Sequence, residues 1–280
     1  MDPAALVIFG IALLVVAIVI GKPFWVAARR GRLRAAPIPE AWRVSIAHAM
    51  PLYQRMPDPL RRRLDGLVNQ FLAEKEFVGC LGLQVTLDMR LAIAAQACLL
   101  VVNRSINVYD ALYSVLIYPA QFIAPEEHRD EAGVVHRQER VLSGQAWETH
   151  RIILSWEDVQ ASAVSHNDGY NVVFHEFAHY LDAEAGGVDG APQLGDEEHY
   201  ERWAGVMNEE FTRLREASAR GEPTLLDPYG GESEGEFFAV ATEVFLERPA
   251  DLRRDHPRLY TELSGYFRLD PAAWLENRYA

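Results

Sequence analysis

Residues 175–179 read His175-Glu176-Phe177-Ala178-His179, and this spacing restricts the local fold more tightly than any other stretch of the chain. Residues four apart share one face of an α-helix, so in a helix both imidazoles can reach one Zn2+ at about 2.0–2.1 Å. Glu176, directly after the first histidine, stands beside a metal-held water and can serve as a general base. Val172, Val173, Phe177, Ala178 and Leu181 give the segment apolar cover. A pair of core histidines satisfied by carbonyls is the bland alternative, and Glu176 between them favours the metal. The predicted helix spans 169–184, with Asn167 or Asp168 as N-cap and Gly186-Gly187 as the stop.

Zinc hydrolases use three protein ligands and keep a fourth position for water. The residues after His179, Tyr180-Leu181-Asp182-Ala183-Glu184-Ala185, supply no further histidine. The third ligand should then be a carboxylate from a second helix. The segment 234–248 carries Glu236 and Glu243 seven apart, with small Ala239 and Val240 between them. Spacing does not choose between the two. Glu236 also completes a capping box with Ser233, and Glu243 fits a solvated surface acid equally well. Asp182, three residues after His179, either orients an imidazole or sits exposed near the helix end.

The N-terminus differs from the rest. Ala4 to Gly21 holds no charged or strongly polar side chain, and as a helix these 18 residues cover about 27 Å. Lys22, Phe24 and Trp25 suit an interface, and Arg29, Arg30, Arg32 and Arg34 follow. The positive-inside rule then predicts a single-pass inner-membrane protein, N-terminus outside and the remainder in the cytoplasm. The expected organisation is an anchor over 1–28, a basic juxtamembrane linker over 29–40 and a catalytic domain over 41–280. With 40 acidic and 27 basic residues the net charge is −13, which argues against direct nucleic-acid binding. Two cysteines, Cys80 and Cys98, exclude a disulfide scaffold and read as free thiols.

Periodicity predicts helices over 60–74, 88–101, 198–219, 234–248 and 257–267. Short apolar runs predict strands over 83–87, 113–118 and 151–156. Strands come early and helices late, which implies an α+β fold.

Several stretches together carry a wider likeness: Ala94-Ala95-Gln96-Ala97-Cys98-Leu99, Tyr118-Pro119, Gly144-Gln145-Ala146-Trp147, Leu154-Ser155-Trp156, the run Asn171 to Asp182, Gly190-Ala191-Pro192, and Glu236-Phe237-Phe238-Ala239-Val240 with Glu243 and Phe245. The chain resembles the Mlc titration factor A (MtfA) family of bacterial zinc metallopeptidases, whose catalytic fold is similar to that of anthrax lethal factor. The resemblance implies a zincin-like metallopeptidase domain with a small sheet and several helices. It places the third zinc ligand on Glu236, beside His175 and His179. It also places Tyr229, seven residues earlier, near the metal, where a phenol can donate to an oxyanion. The expected activity is that of a zinc-dependent peptidase of aminopeptidase type acting on a peptide or protein, with Glu176 and Tyr229 catalytic. The alternative is a membrane-anchored module that sequesters a transcriptional repressor of the Mlc type, with zinc mainly structural. The loop Tyr229-Gly230-Gly231-Glu232-Ser233-Glu234-Gly235 is richer in glycine and acid than the family's usual form, and the soluble enterobacterial members lack the apolar leader.

Overall fold

The structure, a computed structural model, describes residues 3–120, 122–129, 135–142, 144–147, 150–165, 167–184 and 186–276. In α4 (Leu87–Leu100) every residue from Leu91 to Leu100 is buried. Thr86 starts it by accepting the Met89 N–H at 3.3 Å. A strand was expected over 83–87. Instead Leu81 and Gly82 take positive φ (50° and 82°) and turn the chain into that cap. The strand lies earlier, as β1 (Glu76–Gly79).

The main sheet contains β1, β2 (Ser114–Tyr118), β5 (Gly144–Trp147) and β6 (Arg151–Ser155), in the order β1-β2-β6-β5. The first three in that order are parallel, and β5 runs antiparallel to β6. Parallel neighbours need a crossover, and α4 lies in the one between β1 and β2. Val115 and Ile117 on β2 stand level with the buried Ile152 and Leu154 on β6. A separate antiparallel pair, β3 (Phe122–Arg129) and β4 (Val135–Leu142), lies between β2 and β5 in chain order.

Helices make up most of the rest: α1 (Pro3–Ala35), α2 (Glu40–Ala49), α3 (Asp58–Glu74), α5 (Trp156–Val164), α6 (Val172–Ala183), α7 (Glu197–Ala219), α8 (Glu234–Glu247), α9 (Pro249–Asp255), α10 (Pro257–Phe267) and α11 (Pro271–Glu276). The architecture is therefore mostly helical α+β, with helices both before and after the strands. Two aromatic clusters flank the α6–α8 pair. Tyr109 meets Phe71, Phe177 and Tyr180 at 5.4–5.8 Å between ring centres. Phe238 meets Trp203, Tyr266 and Phe267 from the far side of α8, at 5.8–6.4 Å. Such edge-on and offset pairs add directional packing to simple burial.

The N-terminal expectation is corrected. Among the described residues no helix is long and apolar enough to cross a membrane, which overturns the predicted transmembrane anchor and the inner-membrane location. Of the run 4–21, the side chains of 4–8, 10, 12, 14, 15 and 17 lie outside the described residues. Two arginines of the basic stretch read as a juxtamembrane linker are engaged by the protein itself. Arg30 grips Glu74 at 2.9 and 3.0 Å and Asp110 at 2.6 Å, and Arg29 stands 3.6 Å from Glu74. Gly66 on α3 lets the Arg34 carbonyl approach so closely that a Cβ there would collide with it. Residues 29–35 thus continue α1 as helix, and Glu40 opens α2.

Candidate metal centre

The metal helix starts later than the sequence suggested. Asn167 and Gly169 both hold positive φ (74° and 93°), and Asp168 accepts the Tyr170 N–H at 2.9 Å in a local turn. The cap is Asn171, whose side chain accepts the Phe174 N–H at 3.1 Å. Three cap-type residues within five positions hid this choice. The end of α6 falls at Ala183, where the Gly186 N–H (φ +102°) returns to the Ala183 carbonyl at 3.1 Å.

On α6 the rings of His175 and His179 meet edge to face, 4.8 Å between centres. Their Nε2 atoms are 3.1 Å apart, and Glu236 Oε2 lies 3.0 Å from one and 3.2 Å from the other. Four ligands at about 2.0–2.1 Å around a tetrahedral metal stand about 3.3 Å from one another, so this triangle has the size of one face of such a tetrahedron. The donor set (two imidazole nitrogens and one carboxylate oxygen) could hold a metal ion. Two further buried atoms here, Glu176 Oε2 and His179 Nδ1, have no hydrogen-bond partner among the described residues. The residues present therefore fit a cation better than a closed hydrogen-bond network.

Glu236 and Glu243, left unranked by their spacing, take different places in the structure. Ser233 caps α8 by accepting the Glu236 N–H at 3.2 Å, while the Glu236 carboxylate turns to the histidines. Glu243, 2% exposed, takes the opposite nitrogen of the first ring, with Oε1 2.7 Å from His175 Nδ1. Its Oε2 accepts the Asn171 N–H. Glu247, which sequence reasoning did not single out, accepts from Asn171 Nδ2 at 2.9 Å and from the Asn167 N–H at 3.3 Å. Its place four residues after Glu243 on the same face was the available signal.

Charge follows from these contacts. Burial opposes ionisation of Glu236, but the hydrogen bonds to His175 and His179 outweigh it and hold the carboxyl well below the usual range. Burial likewise opposes a charge on His175, yet Glu236 and Glu243 raise its pKa well above the ordinary value. Glu176 has no such partner, and burial pushes it up to about 8. The centre is thus largely buried and rich in carboxylate, which favours a cation.

Asp182 is fully buried rather than exposed. It accepts the Gly190 N–H at 2.8 Å, and burial lifts its pKa to about 6. Gly190 (φ +74°) lies against the start of α8, where an added Cβ would stand 2.5 Å from the Glu234 carbonyl oxygen. Trp203 Nε1 donates to the Gly190 carbonyl at 2.7 Å. Asp182 therefore fixes the loop that seats α8. Tyr229 arrives on the short turn 228–231, where Asp227 accepts its N–H at 2.8 Å. Its ring lies 6.1 Å from that of His175 and is 44% exposed, at the rim of the centre. The strand expected over 151–156 is β6, paired on both sides; β5 is the edge of the sheet beside it.

A helix-borne His-Glu-x-x-His pair closed by a carboxylate from a second helix defines a metallopeptidase-like centre. The chain belongs to the glucose-regulated metallo-peptidase M90 family, whose profile matches residues 25–268. An uncharacterised protein of Synechocystis is 35% identical over 272 residues, 97% of this chain and 98% of that one. Mlc titration factor A of Pectobacterium atrosepticum is 34% identical over 245 residues (85% and 89%), and that of Yersinia pestis 33% over 231 residues (81% and 84%).

Proposed function

We propose that this chain is a zinc-dependent peptidase, with aminopeptidase-type turnover of small peptides. The observation that carries the reading is the three-donor triangle of His175, His179 and Glu236 with the buried, unpartnered Glu176 oxygen in the same centre. Zinc held by the three donors would polarise the scissile carbonyl and lower the pKa of water. Glu176 takes the proton of the attacking water and later passes it to the leaving amine. Tyr229, at the rim, donates its hydroxyl to the oxygen on which negative charge develops. Glu243 accepts from His175 Nδ1 and so keeps the Nε2 lone pair free for the metal. The edge strand β5 offers its unpaired backbone groups to an extended peptide.

The test is metal content and turnover of aminoacyl and peptide fluorogenic substrates by the full chain and by Glu176→Gln. About one zinc per chain in both proteins, with hydrolysis lost only in the variant, is expected. Equal hydrolysis by the two would refute the role of Glu176. The relatives named Mlc titration factor A favour a second reading, binding of an Mlc-type repressor. Complex formation that survives Glu176→Gln, with no hydrolysis in either protein, would select it.

A further inference from the structure

A cleft of about 770 Å3 opens between the end of α1, α3, the turn after α4 and the end of α10. Its lining gathers four arginines from four separate elements, Arg34, Arg63, Arg104 and Arg268, with Asn103 and Ser105 among them. No acidic residue lines it, on a chain whose net charge is −13. Several arginines elsewhere meet acids, among them Arg30 with Glu74, Arg43 with Asp65 and Arg254 with Asp251, although not all do. Among the described residues none of the four cleft arginines forms an ion pair.

Neutral groups hold Arg63 and the Arg268 backbone, while Arg104 interacts by charge with the carboxylate of Glu184. Arg63 Nη1 donates to Asn103 Oδ1 at 3.4 Å, and Asn103 Nδ2 donates to the Arg268 carbonyl at 2.8 Å. Arg268 closes α10 in the left-handed region (φ 55°). The Arg104 guanidinium lies 4.1 Å above the Tyr266 ring, and its Nη1 is buried without a hydrogen-bond partner among the described residues. A guanidinium does not shed its proton, so the four positive charges persist at any ordinary pH and attract an anion entering the cleft. Planar guanidinium forks match the oxygens of phosphoryl groups, and the volume is that of a small-molecule site.

We propose that this cleft binds a small multiply phosphorylated anion, one carrying two or more phosphoryl groups. The proposal is independent of the peptidase reading.

The experiment is calorimetric titration of the full chain with inorganic phosphate, pyrophosphate and tripolyphosphate at low ionic strength. Saturable binding at one site is expected, tightening from phosphate to tripolyphosphate. Arg63→Gln changes an exposed side chain, and Arg268→Gly suits the positive φ at that position, so both should fold. Each is expected to weaken tripolyphosphate by about tenfold, whereas Arg220→Gln, which removes an exposed partner of Glu222, leaves it unchanged. Binding undiminished in both cleft variants would locate the anion elsewhere, the metal centre included, and overturn the proposal. The absence of saturable binding to the wild type would overturn it without any variant.

Discussion

Glu243→Gln is the sharpest probe of the metal centre, because it keeps the shape of a buried side chain and changes only its hydrogen-bonding. The two carboxylate oxygens face two donors, His175 Nδ1–H at 2.7 Å and the Asn171 backbone N–H. Glutamine offers one acceptor oxygen and one NH2 group. If the oxygen faces Asn171, the amide NH2 meets His175 Nδ1 and forces the ring proton onto Nε2, the atom in the donor triangle. If it faces His175, the NH2 opposes the N–H of the residue that caps α6. The first arrangement should weaken metal binding by about 10- to 100-fold, as the loss of a partner behind a metal-bound histidine generally does. That corresponds to about 1.4–2.7 kcal/mol. The second leaves a buried donor unsatisfied and should cost about 1–3 kcal/mol of folding stability. Competition against a chromophoric chelator measures the first, and urea unfolding of the metal-free protein the second. A variant matching the wild type in both would refute the assignment of Glu243 as the group that orients His175.

Gly190→Ala should destabilise the domain by about 1–3 kcal/mol, since it combines positive φ with a Cβ crowding the Glu234 carbonyl; chemical denaturation reads the loss directly. Metal affinity should fall with it, because the same loop seats the helix that carries Glu236. Glu210 supplies a pH dependence remote from the centre. Burial opposes its charge, but the hydrogen bond to His256 at 2.7 Å, with Arg213 at 3.5 Å, holds its pKa below the ordinary 4.5. Its contribution is therefore complete above that value and is lost as the pH falls through the lowered pKa. Glu210→Gln should be less stable than wild type at neutral pH, with the gap in urea midpoints closing below about pH 4. A gap that widened on acidification would reverse the sign of this argument.

The centre was legible where chemistry demands a local spacing. His175, Glu176 and His179 sit within one helical turn, and Glu236 with Glu243 repeats after two turns. What escaped depends on contacts distant in sequence. Asn171 looks no better a cap than Asn167 or Asp168 until Glu243 and Glu247 receive its two N–H groups. Glu236 and Glu243 could not be ranked because the capping box is a local rule and the histidines lie about 60 residues away. The sheet was read less well. Glu76–Gly79 is too short and mixed to stand out, while Leu83-Gln84-Val85-Thr86-Leu87 alternates like a strand although Thr86 caps a helix. The apolar leader misled for a related reason. Composition alone cannot show that the arginines following it are held by Glu74 and Asp110.

Along α8 the acids at 236, 243 and 247 act like the teeth of a key, each engaging α6 or the turn before it. Inserting or deleting one residue between the first two teeth would rotate everything downstream by about 100°, unhooking Glu243 and Glu247 together while leaving Glu236 in place. No single compensating substitution restores both engagements at once. Descendants of this sequence should therefore tolerate changes of length in the loops on either side, and keep the distance from Ser233 to Glu247 constant.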